Sequence, residues 1–223
     1  AGKRLTRPQV REGEDLIPTD WEAAIEAAAA GLRAHAGRIA FVIGAASSRE
    51  DRFLYGRLAD LLRGSLLVLP TSAGSDDSRV RGLAEAVGRG EIRAVVAAGD
   101  FLPEAVLQAA AFSLVIDCLP SVGSRKATVV LPAAILSEIG GSLRTAGGLV
   151  RQMAASSRPP GHARPEWRIL CELGQALGGD FAFGSIAAVT NLIEGDTAPE
   201  LFAGNPRHNV RDLPIRFRGR LLA

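Results

Sequence analysis

Five short apolar runs, the first four separated by helix-length stretches, constrain this chain more than any other feature. They are Ile39 to Ile43, Ser65 to Leu69, Ile92 to Ala98, Ser113 to Cys118 and Ala127 to Leu131. Each is too short for a core helix and rich in Val, Ile and Leu, the pattern of a strand buried on both faces. Glycine or proline closes most of them: Gly44, Pro70, Gly99 and Pro132. The stretches between carry helical periodicity. Ser47 opens one, with Glu50 at capping-box spacing and Phe53, Leu54, Leu58, Leu61 and Leu62 on one face. Asp76 or Asp77 caps a second, bearing Val80, Leu83, Ala84 and Val87. Phe101 to Ala111 forms a third, with Pro103 in its first turn, where proline is tolerated. A preceding helix starts at Trp21 behind Thr19 or Asp20 and stops before Gly37. This alternation predicts an α/β fold: a Rossmann-like, mostly parallel sheet with flanking helices and extended N- and C-terminal arms.

The domain plan follows from where that texture begins and ends. Residues 1–20 read as an N-terminal arm and 21–155 as the Rossmann-like domain. Residues 156–223 read as a stiff proline-rich linker, a helix over Pro165 to Leu177 and an extended tail. Strand-like pieces are expected at Ile186 to Ile193 and Leu213 to Leu222.

Charge narrows the partners. The net charge is +2, and 24 of the 26 basic residues are arginine. Lys3, Arg4, Arg7 and Arg11 give residues 1–11 a charge of +4. Arg207, Arg211, Arg216, Arg218 and Arg220 against Asp212 give 207–223 another +4, leaving the body at −6. Basic ends on an acidic body, with only 5% aromatic residues, lack the stacking stripe of a nucleic-acid groove. Arginine-bearing ends suit contacts with other subunits. No run approaches the ~20 apolar residues of a membrane span. The basic N-terminus also lacks the apolar segment of a secretory signal. Two cysteines, Cys118 and Cys171, read as buried reduced thiols, the usage of a cytoplasmic protein.

Chemistry-bearing motifs are missing. Gly44-Ala45-Ala46-Ser47-Ser48 lacks the later glycines of a dinucleotide fingerprint and reads as a tight strand-to-helix turn. Neither Lys3 nor Lys126 follows a glycine-rich loop, and no G-x-S-x-G elbow occurs. His35, His162 and His208 are scattered without a second ligand at i+4. No catalytic, cofactor-binding or metal residue is therefore assigned.

Three sets of residues carry a resemblance that covers 4–177. The first is Arg4-Leu5-Thr6-Arg7-Pro8-Gln9-Val10-Arg11, with Leu16-Ile17-Pro18 and Trp21-Glu22-Ala23-Ala24. The second is Val129-Val130-Leu131-Pro132-Ala133-Ala134, with Glu138 and Gly141-Ser142. The third is Arg158-Pro159-Pro160-Gly161-His162-Ala163-Arg164-Pro165-Glu166-Trp167. Together they resemble the molybdopterin oxidoreductase family. The likeness is nearest to the branch that holds the large peripheral-arm subunit of respiratory complex I and its relatives in soluble hydrogenases and formate dehydrogenases. The departures from the family pattern are equally specific. Thr128 stands where members usually have Asp. Thr145-Ala146-Gly147-Gly148-Leu149 replaces the Asn-x-Glu-Gly-Arg turn. Phe101-Leu102-Pro103 replaces an Asn-Pro after the third-strand glycine. The cluster-binding cysteines and the long C-terminal domain of complete members have no counterpart.

The resemblance therefore implies a truncated member with a degenerate cofactor site. It would be a non-catalytic structural subunit of a cytoplasmic NAD-linked electron-transfer oxidoreductase of complex I, hydrogenase or formate dehydrogenase type. It would bind no cofactor itself, and iron–sulfur clusters and flavin would reside in partner subunits. The alternative is a functional molybdopterin-binding piece of a split oxidoreductase such as a formate dehydrogenase. A free-standing nucleotide-binding module is a third possibility.

Overall fold

The computed structural model of the chain describes residues 4–70, 77–145, 148–195, 216–217 and 220–221. Five parallel strands form its centre: β3 (Ile39–Gly44), β4 (Ser65–Leu69), β5 (Ala94–Ala98), β6 (Phe112–Asp117) and β7 (Val129–Pro132). Ahead of them, β1 (Gln9–Glu12) pairs antiparallel with β7, and β2 (Asp15–Pro18) pairs antiparallel with β1. The seven-stranded order is β2-β1-β7-β6-β5-β3-β4. The chain steps from β3 out to β4, then returns to the other side of β3 for β5, β6 and β7. That reversal puts the topological switch point between β3 and β5.

Alternation along the strands splits the core in two. Phe41, Ile43, Val96, Leu114, Ile116 and Leu131 face one cluster, with α1 (Trp21–Ala34), α2 (Arg49–Leu62) and α5 (Glu166–Ala176). Ala40, Val42, Val95, Ala97, Val115 and Val130 face the other, with α3 (Ser78–Gly88) and α4 (Glu104–Ala109). Both faces of the parallel strands are covered, which is why those runs show no polar alternation. Past the sheet, β8 (Gly141–Arg144) and β9 (Val150–Met153) make a separate hairpin, and α6 (Ile186–Gly195) packs near α2 and β8.

Three expectations change. Residues 9–18 are not an arm: Val10 packs on one core cluster and Leu16 on the other, and Gly13 at φ +60° turns the chain between them. Ile186 to Ile193 is helical rather than strand-like. Ser185 Oγ accepts the Ala188 N–H at its start, and Ile186, Val189 and Ile193 recur at i, i+3 and i+7. The cap of α2 is Ser48, not Ser47, and it receives the Asp51 N–H at 3.0 Å. Glu50 is thereby freed from the expected capping box. The arginine-bearing end lies outside the described residues except Arg216–Phe217 and Arg220–Leu221, which pair antiparallel.

Candidate functional site

Open parallel sheets bind ligands beyond the carboxyl ends of their strands, at the switch point. Here the crevice between β3 and β5 is floored by Gly44 and Gly99 and holds the ring of Phe101. A Cβ on Gly44 would lie 2.7 Å from Phe101 Cζ, and one on Gly99 would lie 2.6 Å from Cε2. Gly99 also sits at φ +96°, a conformation that favours glycine. Both glycines are thus explained by the ring that packs on them. The loop amides point inward as well. Ala45 N–H donates to Leu69 O at 2.7 Å, Ser47 N–H to Gly44 O at 3.1 Å and Gly99 N–H to Ile116 O at 3.0 Å.

Beside the crevice, the start of α2 delivers two acids into the interior. Glu50 is fully buried and accepts three hydrogen bonds: from Ser142 N–H at 2.9 Å, Ser142 Oγ at 2.7 Å and Thr190 Oγ1 at 2.8 Å. It ties α2 to β8 and α6. Asp51 is 3% exposed; its Oδ2 accepts from Ser48 Oγ at 2.6 Å, while Oδ1 has no hydrogen-bond partner. Burial pushes the Asp51 carboxyl up to about 6, opposed by the Ser48 hydrogen bond and reinforced by the charge of Glu50. One turn on, Tyr55 donates its hydroxyl to Glu166 Oε1 at 2.6 Å. The Glu166 carboxyl is raised to about 8, first by desolvation and then by the charge of Asp51. Burial also raises Asp117 at the end of β6, although its Oδ1 accepts from Cys118 N–H at 2.6 Å.

The residues that carried the resemblance act as ties within the chain. Arg4 forks onto both oxygens of Glu138 at 3.0 Å and also donates to Cys118 O and Ala133 O. That pairing holds the Glu138 carboxyl below the ordinary carboxylate range. Trp21 Nε1 donates to His162 O at 2.8 Å, and the Arg164 guanidinium stacks 4.3 Å from the Trp21 ring centre while pairing with Glu172. Cys171 is buried as expected, whereas Cys118 is half-buried; neither is paired. Among the described residues, no group of three His, Cys, Asp or Glu side chains stands ready for a metal ion. No described helix is long and apolar enough to cross a membrane. The Glu50, Asp51, Tyr55 and Glu166 cluster is the feature that sequence reasoning passed over. Its one local signal is the i, i+4 spacing of Asp51 and Tyr55 on the face that bears Leu54 and Leu58.

Part of the chain is similar to known proteins. Residues 83–176 match the profile of a family described as molybdopterin oxidoreductase. The alpha subunit of NADPH-Fe(3+) oxidoreductase from Geobacter sulfurreducens is 31% identical over 134 residues, covering 56% of this chain and 16% of that protein. The mitochondrial 78 kDa subunit of NADH-ubiquinone oxidoreductase from Candida albicans is 33% identical over 88 residues, covering 40% and 12%. The catalytic subunit of assimilatory nitrate reductase from Bacillus subtilis is 35% identical over 77 residues, covering 34% and 11%. The chain therefore spans less than a fifth of the length of these relatives. Residues 83–176, which hold β5, β6, β7, the β8–β9 hairpin and α5, are thus the part of the chain that is similar to the molybdopterin oxidoreductase family.

Proposed function

We propose that the chain is a non-catalytic structural subunit of a cytoplasmic NAD-linked, multi-subunit electron-transfer oxidoreductase. On this reading partner subunits carry the iron–sulfur clusters and flavin, and this chain binds no pterin. The observation that carries the reading is Phe101, whose ring packs on Gly44 and Gly99 at the switch point. A polyanionic pterin cofactor needs open space and outward donors at the strand ends. Here an aromatic ring fills the crevice, and the Ala45, Ser47 and Gly99 amides donate inward. Asp51 and Asp117 add carboxyls to the same end of the sheet, which an anion would have to approach. These residues do not fit the pterin. The similarity to NADPH-Fe(3+) and NADH-ubiquinone oxidoreductase subunits motivates the NAD-linked assignment.

A second reading, a pterin-binding piece of a split oxidoreductase, has one observation in its favour. Arg52, which donates to Ala45 O at 2.8 Å, feels the charge of Arg144, and its guanidinium pKa is lowered by burial first and by Arg144 second. Isolation of the native assembly through this chain, followed by subunit identification and elemental analysis, separates the two. The structural reading expects flavin and iron–sulfur subunits to co-purify without stoichiometric molybdenum or tungsten. Stoichiometric molybdenum lost when this chain is removed overturns it.

A further inference from the structure

We propose that Asp51, Tyr55 and Glu166 form a protonation-controlled latch that seats α5 on α2, closed while the carboxyl pair holds a proton and loosened when that proton leaves. The geometry is the basis. Asp51 and Tyr55 lie one turn apart on α2, and Glu166 is the first residue of α5. The Tyr55–Glu166 hydrogen bond of 2.6 Å joins the two helices directly. The rest of their contact is apolar: Leu54 and Leu58 share a core cluster with Ile169, Leu170 and Leu173. Asp51 Oδ1, nearly sealed from solvent and without a hydrogen-bond partner, marks a site short of one proton donor. Asp51 is buried and Glu166 half-buried beside it, and neighbouring carboxylates of which one is buried resist double ionisation, so a retained proton is the expected state of the pair.

The surrounding negative charges act in the same direction, against the Tyr55 hydroxyl, whose hydrogen bond favours the ionised Glu166. On α2 itself Glu50 stands beside Asp51, and its oxygens are bound to Ser142 of β8 and Thr190 of α6. From β6, Asp117 acts on Glu166 and in turn feels Asp100, with Arg4 on its far side. From α5, the Cys171 thiol is pushed up to about 11 by burial first, then by the charges of Glu172 and Asp51, with Arg57 opposing. From α1 and from strands β3 and β4, the shared cluster receives apolar groups such as Ile25, Phe41 and Leu66. Loss of the proton to solvent therefore leaves two negative charges next to Glu50 and Asp117. Because α5 follows directly on Arg164, whose guanidinium covers Trp21, loosening α5 would also disturb the start of α1.

The sign is fixed by the raised carboxyls. A folded-state value above the unfolded one stabilises at low pH and is lost as pH rises through the folded value, here about 8 for Glu166. The test is hydrogen exchange of the full chain between pH 6 and 9, corrected for intrinsic rates, with carbon-13 titration of the Glu166 and Asp51 carboxyls. Protection of the α5 amides should fall through about pH 8, by at most about tenfold per pH unit for one proton, while β5 amides hold steady. Glu166→Gln should abolish that slope. If that variant does not fold, Asp51→Asn serves instead and should bring the Glu166 titration down and flatten the slope. Glu166 titrating in the ordinary carboxylate range, pH-independent α5 protection in the wild type, or a slope that survives in the folded variant would each overturn the latch.

Discussion

Glu50→Ala should be among the most damaging single substitutions in the chain, although sequence alone places Glu50 in the exposed-looking first turn of a helix. The side chain is fully buried and accepts from Ser142 N–H, Ser142 Oγ and Thr190 Oγ1. Truncation strands the Ser142 amide and most of its hydroxyl's bonding, because the remaining Arg49 contact to Ser142 Oγ is long at 3.4 Å. The single Thr190 hydroxyl proton can turn to Ile186 O, 3.0 Å away, so Thr190 is not stranded. At about 1–3 kcal/mol for each stranded buried group, plus the void, the loss is about 3–5 kcal/mol. Total stability for a domain is about 5–15 kcal/mol, so the variant sits near its folding limit. Glu50→Gln should be far milder, at about 1 kcal/mol. Its carbonyl takes the Ser142 amide, and its amide group donates to the two hydroxyls, which reverse their roles. Urea unfolding measures both, with a midpoint drop of about 1–2 M for the alanine variant at the usual slopes. An alanine variant within about 0.5 kcal/mol of wild type would refute the claim that this carboxylate binds β8 and α6 to α2.

Two further predictions test the crevice and the N-terminal clamp. Gly44→Ala should destabilise by about 1–3 kcal/mol through overpacking against Phe101, and Phe101→Ala should relieve most of that cost; additive costs in the double variant would mean the ring is not the obstacle. Arg4→Gln or Glu138→Gln should cost about 1–3 kcal/mol at neutral pH. Because Arg4 holds the Glu138 carboxyl below its ordinary value, the contribution is present above the ordinary carboxylate range and is lost as pH falls through the lowered value. Urea midpoints from pH 3 to 7 should show that acid loss in the wild type and not in Glu138→Gln.

The parallel strands were legible because each is buried on both faces, so Phe41, Val42, Val96 and Leu114 left unbroken apolar runs. The edge hairpin was not. β1 and β2 are four residues each, and Val10 and Ile17 alternate with Arg11, Glu12 and Asp15 in a pattern that an exposed arm would also show. α6 was misread because Ile186, Val189, Thr190 and Ile193 are β-branched, and propensity masked a helical period that α2 and β8 stabilise. The buried acids were hidden for a different reason. Glu50 meets Ser142 across 92 residues and Thr190 across 140, and Tyr55 meets Glu166 across 111, so no local spacing announces them. Acids in a first helical turn have ordinary explanations in capping and the helix dipole, so neither Glu50 nor Asp51 stands out in the sequence. Phe101 was visible as a departure from the family pattern, but its contact with Gly44 joins two loops that only the sheet brings together.

The internal ties bear on the proposed role. The residues that mark the family resemblance are engaged within the chain: Arg4 with Glu138, Ser142 with Glu50, the His162 carbonyl with Trp21, and Glu166 with Tyr55. An anionic ligand seated at the strand ends would have to move the Phe101 ring and turn the Ala45, Ser47 and Gly99 amides away from their present acceptors. Each acceptor left bare would cost about 1–3 kcal/mol before any contact with the ligand forms. It would also meet Asp51, whose only hydrogen-bonded oxygen is held by Ser48. A scaffold has no such cost, since the same bonds hold its segments in a fixed arrangement. The Gly44→Ala and Phe101→Ala pair bears on this argument beyond stability. If Phe101→Ala folds normally and gains affinity for inorganic pyrophosphate at the strand ends, the ring is what closes the crevice to anions; if it folds and binds none, the inward amides and the buried carboxyls suffice without it.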